Sequence, residues 1–477
     1  MSTDPQAEGQ LQRSLSNRHV QLIAIGGAIG TGLFMGSGKT VHAAGPSLVL
    51  VYLIIGVMLF FVMRAMGELL LFNLKYKSFQ DFSADMLGPW AGFFSGWTYW
   101  LCWVVTGMAD LVAISGYWDY WVHNKPLSVG LACAVMIALL GLNLLTVKLF
   151  GELEFWFALI KVIAILVLIV AALYMVVTHF KAPNGQVAAI SNLWSHGGFF
   201  PTGFKGFFAA FQIAVFAFVG IELVGTTSAE TKDPEKTLPK AINSIPVRVI
   251  FFYVFALLAI MMVTPWDEVN PAVSPFVNLF GLIGLSAAAS VMNFVVLTSA
   301  SSSCNSGIYS TSRMLYGLAH RGMSPKRFGK LSGNGVPVAG LVMSVSLILT
   351  AVLLMLSDSI MGAFTVVTTI SAVLFIFVWG LILLSYMKYL KRFPEAHAKS
   401  IFPMPGARFM PQVVLVFFAF VLVLLTQEKD TLQALMVTPL WFIILGAGWY
   451  FGRHHAVPDA DDVTPGELYD EILNRKH

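Results

Sequence analysis

Residues 26–34 read GGAIGTGLF, placing four glycines within seven residues in the middle of an apolar run that spans 20–42. A glycine inside a helix costs about 1 kcal/mol relative to alanine, so a cluster at that depth predicts that the backbone leaves the helix. Unwound backbone inside a bilayer is tolerated only where it lines a cavity or is buried in protein. A second interruption, FAFVGIELVG (216–225), carries Gly220, Gly225 and an acid between them. Two Gly-broken helices, each opening a five-helix block, point to inverted repeats around a site near the membrane midplane. The competing reading is close helix packing of the small-xxx-small kind.

The rest of the chain supports a membrane setting. Of 477 residues, 57% are apolar and only 11% charged, with mean hydropathy +0.76. A soluble domain carries far more charge on its surface. Apolar runs of bilayer-spanning length recur at 20–42, 46–71, 93–122, 127–147, 153–178, 205–228, 246–265, 276–303, 336–356, 361–387, 411–427 and 433–452. The expected fold is therefore an all-α membrane protein of twelve transmembrane helices. Its parts are a tail over 1–19, a first repeat over 20–178 (helices 1–5), a second over 205–388 (helices 6–10), two further helices over 411–452, and a tail over 453–477. With the N-terminus in the cytoplasm, 22 Lys and Arg fall on the inner side and 5 on the outer, the asymmetry that the positive-inside rule requires. Both termini are expected inside, and no cleavable signal peptide is evident.

The small basic excess, +4 and scattered over short loops, gives no stripe for nucleic acid. Cys102, Cys133 and Cys304 lie far apart in apolar runs and match no metal spacing. No metal or cofactor is expected.

The helix breaks imply a ligand chemistry. Freed amides at Thr31 and Gly32, where the first helix resumes after Gly30, favour an anion such as a carboxylate. Freed carbonyls of the preceding half-helices attract an ammonium. A zwitterionic α-amino acid supplies both groups at that separation.

The intramembrane charges leave alternatives open. Lys161 lies about 9 Å inside Phe155 at the helical rise; snorkelling and proton exchange by a desolvated amine both fit. Glu222, too short to snorkel, either faces a cavity and titrates or satisfies the freed amides of helix 6. Asp110 either lines the pathway or hydrogen-bonds Thr106 one turn earlier. Arg64 and Glu68 form an i,i+4 pair. Glu152 and Glu154 are read as opening helix 5, where acids suit the helix dipole. AETKDPEKTLPKAI (229–242) reads as a solvated, Pro-stiffened turn, and SASSSC (299–304) as a stretch easing close helix approach.

GGAIGTGLF, AGPSLVLVYLIIG (44–56) running into RAMGEL (64–69), FWFALIKV (155–162), FVGIE (218–222) and AETKDPEKTLPKAI occur in that order. Together they resemble amino acid permeases of the amino acid–polyamine–organocation superfamily over roughly residues 14–450. The resemblance implies a LeuT-like 5+5 inverted repeat with helices 1 and 6 unwound, alternating access, and symport with a proton as coupling ion. GMADL (107–111) and TPLWFI (438–443) look most like members carrying glycine, D-alanine and D-serine. Carried onto this sequence, the substrate carboxylate meets the amides of Thr31 and Gly32, and its ammonium meets carbonyls of Ala28, Phe216 and Val219. Phe218 sits near the gate, the branched Val219 narrows the side-chain pocket, and Lys161 handles the proton; Glu222, from its place at the second break, is the other proton-coupling candidate. The 229–242 loop becomes a candidate inner gate.

A permease for L-alanine or L-proline, or a non-transporting amino acid sensor on the same fold, fits the same residues. An intramembrane enzyme is disfavoured, since HExxH, GxSxG and paired intramembrane aspartates are missing from the sequence. A channel is disfavoured because the signal is a compact zwitterion site, not a ring repeated by symmetry. Besides substrate and lipid, no partner is implied, and the oligomeric state is not encoded in any motif.

Overall fold

The computed structural model describes residues 29–145, 147–183, 185–226, 231–282, 286–356 and 360–453. Apart from an isolated bridge between Lys181 and Val187, regular structure among these residues is helical. In chain order the helices are α1 (Thr31–Phe34), α2 (Gly36–Ala44), α3 (Leu48–Phe72), α4 (Phe79–Leu87), α5 (Pro89–Val122), α6 (Lys125–Asn143), α7 (Val147–Val177), α8 (Gly203–Ala214), α9 (Leu223–Thr226), α10 (Pro234–Asn243), α11 (Ile245–Arg248), α12 (Ala256–Val263), α13 (Pro275–Leu282), α14 (Ser286–His320), α15 (Val338–Leu349), α16 (Ile360–Arg392), α17 (Pro394–Ala398), α18 (Met410–Leu424) and α19 (Lys429–Gly452).

Ten stretches among the described residues are long and apolar enough to cross a bilayer, and α18 is a shorter apolar helix. Large apolar side chains cover the outside: Val170 is 66% exposed, Val177 79% and Phe451 77%. Such a surface is stable only against hydrocarbon. The chain is a multi-pass membrane protein.

At the centre stands α5, packed along its length against α14 and α16. Pro89 opens α5, where a missing N–H costs nothing, and Trp103 and Tyr99 are fully enclosed. Close approach is bought by small residues: a Cβ on Gly307 of α14 would stand 2.5 Å from the Trp103 ring, and one on Gly67 of α3 2.5 Å from Ile242 of α10.

Three expectations change. The eighth span, expected at 276–303, is described as α13 up to Leu282 and α14 from Ser286, with 283–285 outside the described residues, and α14 runs seventeen residues further than expected. Its serines and threonines bury and bond to neighbours and to preceding carbonyls, so polarity there does not end the helix. The expected turn at 229–242 contains a helix from Pro234 onward, because Pro234 starts α10 and Leu238, Ala241 and Ile242 form a buried face; residues 229 and 230 lie outside the described residues. Helix 5 begins at Val147, so Glu154 occupies its interior and is fully buried, and the dipole reading of Glu152 and Glu154 fails.

Glu68 anchors the segment after α16 to α3. Its carboxylate accepts from Tyr386 Oη (2.6 Å) and from the Met404 amide (2.9 Å), and pairs with His397 Nδ1 (2.6 Å). One turn earlier, Arg64 donates to Asn243 Oδ1 (2.9 Å) and the Pro403 carbonyl and lies 3.6 Å from the Phe402 ring centroid. Hydrogen bonds to a charged group contribute about 1.5–3 kcal/mol each. Glu68→Ala is therefore expected to destabilise the protein by about 3 kcal/mol or more, seen as a lower melting temperature in detergent. Glu68→Gln, which keeps an acceptor, should lose less.

Candidate functional site

The second Gly-rich stretch interrupts its helix as expected; of the first, the described residues show a helix starting just after Gly30, and residues 26–28 lie outside them. Gly30 is extended (φ −120°, ψ −162°), and α1 begins at Thr31. The amides of Leu33 and Phe34 donate to Gly30 O at 3.2 Å, so Thr31 and Gly32 are the leading residues, whose amides a helix leaves without an intrahelical acceptor. Helix 6 stops at Ala214, passes through a tight turn over Phe216–Phe218, and leaves the helix at Val219 (ψ 135°) and Gly220, whose φ of 102° only glycine adopts readily. It resumes at Leu223.

The two breaks lie against each other. A Cβ on Gly32 would stand 2.5 Å from Ala217 Cα and 2.9 Å from Ala217 N. The resumed first helix thus touches the backbone of the interrupted sixth, and only glycine fits. Gly30, by contrast, faces Ser303, whose Oγ would be 3.4 Å from its Cβ.

α14 supplies the wall behind the first break. Ser299 Oγ donates to Ile29 O (3.0 Å), giving a freed carbonyl its partner. The SASSSC run is thus more than a spacer. Ser302 donates to Glu154 Oε1, and Asn305 Nδ2 to Glu154 Oε2 at 3.3 Å. Nothing in the local sequence marked Ser299 and Ser302 as donors to residues 270 and 148 positions away.

Asp110 accepts from the Thr31 hydroxyl at 2.8 Å, both residues being buried. Its other oxygen, Oδ2, is enclosed without a hydrogen-bond partner among the described residues. Thr106 bonds Cys102 O (2.8 Å) and Ser371 Oγ (2.7 Å) instead, so the Thr106–Asp110 packing alternative does not occur. Lys161 is completely buried, which removes snorkelling, and both Glu154 and Asp110 act on it electrostatically.

Glu222 is equally enclosed. Its Oε2 accepts the Gly220 amide (3.2 Å) and its Oε1 the Tyr99 hydroxyl (3.3 Å), which continues to Ser310 and Thr226. It caps the backbone that the break releases.

Phe216 sets its ring edge-on to Phe364 (6.1 Å between centroids) beside Gly32. Phe218 stacks on Tyr253 at 4.9 Å, with Tyr52 alongside. Tyr253 belongs to a π-helical stretch (Val249–Phe255), and its hydroxyl donates to Ala217 O at 2.7 Å. Sequence reading missed Tyr52, Tyr99 and Tyr253; π-bulges leave no simple motif. Ala28 lies outside the described residues. A cavity of about 320 Å³, bounded by Met35, Tyr117, Asn278, Asn293 and Ile360 among others, opens one turn beyond Thr31.

A pair of apposed breaks, with uncommitted amides on one strand and a buried carboxylate beside them, suits a small dipolar solute. In comparison with known proteins, the amino acid permease family profile matches residues 19–460. The chain belongs to the amino acid permease family. This permease is 64% identical over 446 residues to the D-serine/D-alanine/glycine transporter of Escherichia coli (strain K12), covering 93% of this chain and 95% of that one. It is 52% identical over 439 residues to the amino-acid permease AapA of Bacillus subtilis (strain 168), with 91% and 94% covered. It is 40% identical over 444 residues to the DL-alanine permease SerP2 of Lactococcus lactis subsp. cremoris (strain MG1363), with 93% and 96% covered. These relatives are named as transporters or permeases, not enzymes.

Proposed function

We propose that this permease imports small neutral amino acids (glycine, D-alanine and D-serine) across a bacterial cytoplasmic membrane by proton symport through alternating access. The observation that carries the proposal is the apposition of the two breaks at Gly32 and Ala217. It brings a helix start and the carbonyls of the interrupted sixth helix together, in a contact too tight for a side chain at Gly32. The name of the Escherichia coli relative, at 64% identity, supports the substrate class.

In this reading the substrate carboxylate meets the Thr31 and Gly32 amides, and its ammonium meets carbonyls of Ala28, Phe216 and Val219. A carbonyl has two lone pairs, so Phe216 O can serve the substrate while holding the Val219 amide. Val219 and Phe216 bound the side-chain end, where a methyl or hydroxymethyl fits better than a ring. Phe218, clamped by Tyr253, stiffens the turn that a gate would move. Asp110 reads the carboxylate end through Thr31. Lys161 and Glu222 carry the proton, which is the coupling ion, with no other cofactor. The fold in this proposal is LeuT-like: twelve spans with helices 1–5 and 6–10 as inverted repeats, helices 11 and 12 appended, and both termini cytoplasmic. The cavity beyond Met35 is the approach to the site.

Competition for labelled glycine uptake in proteoliposomes tests the substrate class. D-serine and D-alanine should inhibit strongly, L-phenylalanine should not, and a protonophore should collapse accumulation. Equal inhibition by L-phenylalanine would overturn the small-pocket reading. The DL-alanine permease among the relatives favours a second reading in which L-alanine competes as well as D-alanine, and the same experiment decides it.

A further inference from the structure

Glu154 has no role in the scheme so far, yet it is a carboxylate with no exposed surface in the interior of a membrane helix. A charge so placed is expensive unless paired and hydrogen-bonded. We propose that Glu154 is the resident counter-ion of Lys161 and the group that receives its proton. This rests on the coupling role of Lys161 proposed above.

Glu154 and Lys161 are seven residues apart on α7, which returns the second to the face of the first, displaced by only about 20° and about 10 Å along the axis. Helical side chains lean toward the N-terminus, so the long lysine stem leans back toward Glu154. Glu154 is held from α14 by Ser302 and Asn305, and Asn305 is itself held by Asn143 of α6 at 2.7 Å. The carboxylate therefore has a fixed seat.

The charged groups that reach Lys161 are Glu154 on its own helix and Asp110 on α5. Among the described residues, the other helices packed against α7 add no charge near it, and the π-helical stretch Val249–Phe255 that also touches it brings only the titratable Tyr253. α14 has none before Arg313, α12 is wholly apolar, and α6 carries only Lys125 at its far end. Asp110 already holds Thr31. Lys161 thus stands between a carboxylate tied to the substrate break and one tied to the α6–α14 wall. The transfer is balanced: an Nζ–H bond of the ammonium breaks and an O–H bond forms on Glu154, leaving a neutral amine and a neutral acid. The positive charge that Asp110 felt is gone when the proton moves on.

The test is Glu154→Gln, which keeps an acceptor for Asn305 but cannot take a proton. In proteoliposomes it should lose most pH-gradient-driven accumulation, because the acceptor for the Lys161 proton is gone, while substrate exchange persists. The pH dependence of uptake should flatten; a merely structural acceptor would leave it unchanged. If the single variant is too unstable to assay, the double variant Glu154→Gln/Lys161→Gln supplies the readout. Removing both charges should restore much of the melting temperature that either single change loses. Normal accumulation and pH profile in Glu154→Gln, or no recovery in the double variant, overturns the inference. Lys161→Gln separates the two proposals. If it alone keeps accumulation, the coupling reading fails; if it loses accumulation while Glu154→Gln does not, only the role of Glu154 fails.

Discussion

Gly32→Ala should abolish transport although it adds a single methyl group. The added Cβ would sit 2.5 Å from Ala217 Cα and 2.9 Å from Ala217 N. These are main-chain atoms in a turn whose Ala217 carbonyl is pinned by Tyr253 at 2.7 Å, so no side-chain rotation relieves the clash. Either the resumed first helix or the turn of the sixth must shift, by about an ångström to reach ordinary contact. A misplacement of that size at a positioning site costs about a hundredfold in rate. Gly30→Ala provides the contrast. Its Cβ would meet Ser303 Oγ at 3.4 Å, an ordinary contact, and its backbone lies in the extended region open to any residue. It should lose far less, whereas Gly30→Leu would drive three more carbons toward Ser303 and lower substrate affinity. Labelled uptake and substrate binding, at matched membrane levels, distinguish the three. Near-normal uptake in Gly32→Ala would mean that the two breaks are not held in contact during transport.

That contrast marks what the sequence could and could not say. The glycine cluster announced a break, because glycine is costly in a helix and rarely gathers without reason. Nothing in GGAIGTGLF distinguished Gly32, which touches backbone, from Gly30, which touches a serine. The difference depends on a segment 185 residues away in the chain. Helices were legible wherever a long apolar run met a strong stop, as α3 does before Asn73. α14 was misjudged because buried serines look, in sequence, like the end of a membrane span. Glu154 was misjudged for a related reason. Where a helix starts decides whether an acid serves its dipole or sits in its interior, and the long apolar run that suggested a start near 153 does not extend back to Val147. Lys161 and Asp110 stood out as charges in apolar runs, but their association, across α5 and α7, is a property of packing alone.

Lys161→Ala should uncouple the permease without blocking it. With no exposed surface and two carboxylates acting on it, Lys161 cannot reach water by extending its stem. Its charge is either balanced inside or given up. A buried lysine is well suited to exchanging a proton, since burial disfavours its charged form while neighbouring carboxylates favour it. Removing the ammonium deletes the site that a pH gradient acts on, so accumulation driven by that gradient should fall to simple equilibration. The amides and carbonyls at the two breaks are untouched, so exchange of labelled for unlabelled substrate should continue. Some loss of stability is expected, because Glu154 and Asp110 would lose the buried cation that acts on both; measuring exchange and accumulation in the same vesicles controls for it. Because coupling means that proton and substrate each bias the same conformational equilibrium, the pH dependence of apparent substrate affinity should vanish in the same variant. A Lys161→Ala permease that still concentrates substrate against its gradient would remove Lys161 from the coupling scheme and leave Glu222 as the acidic group to pursue.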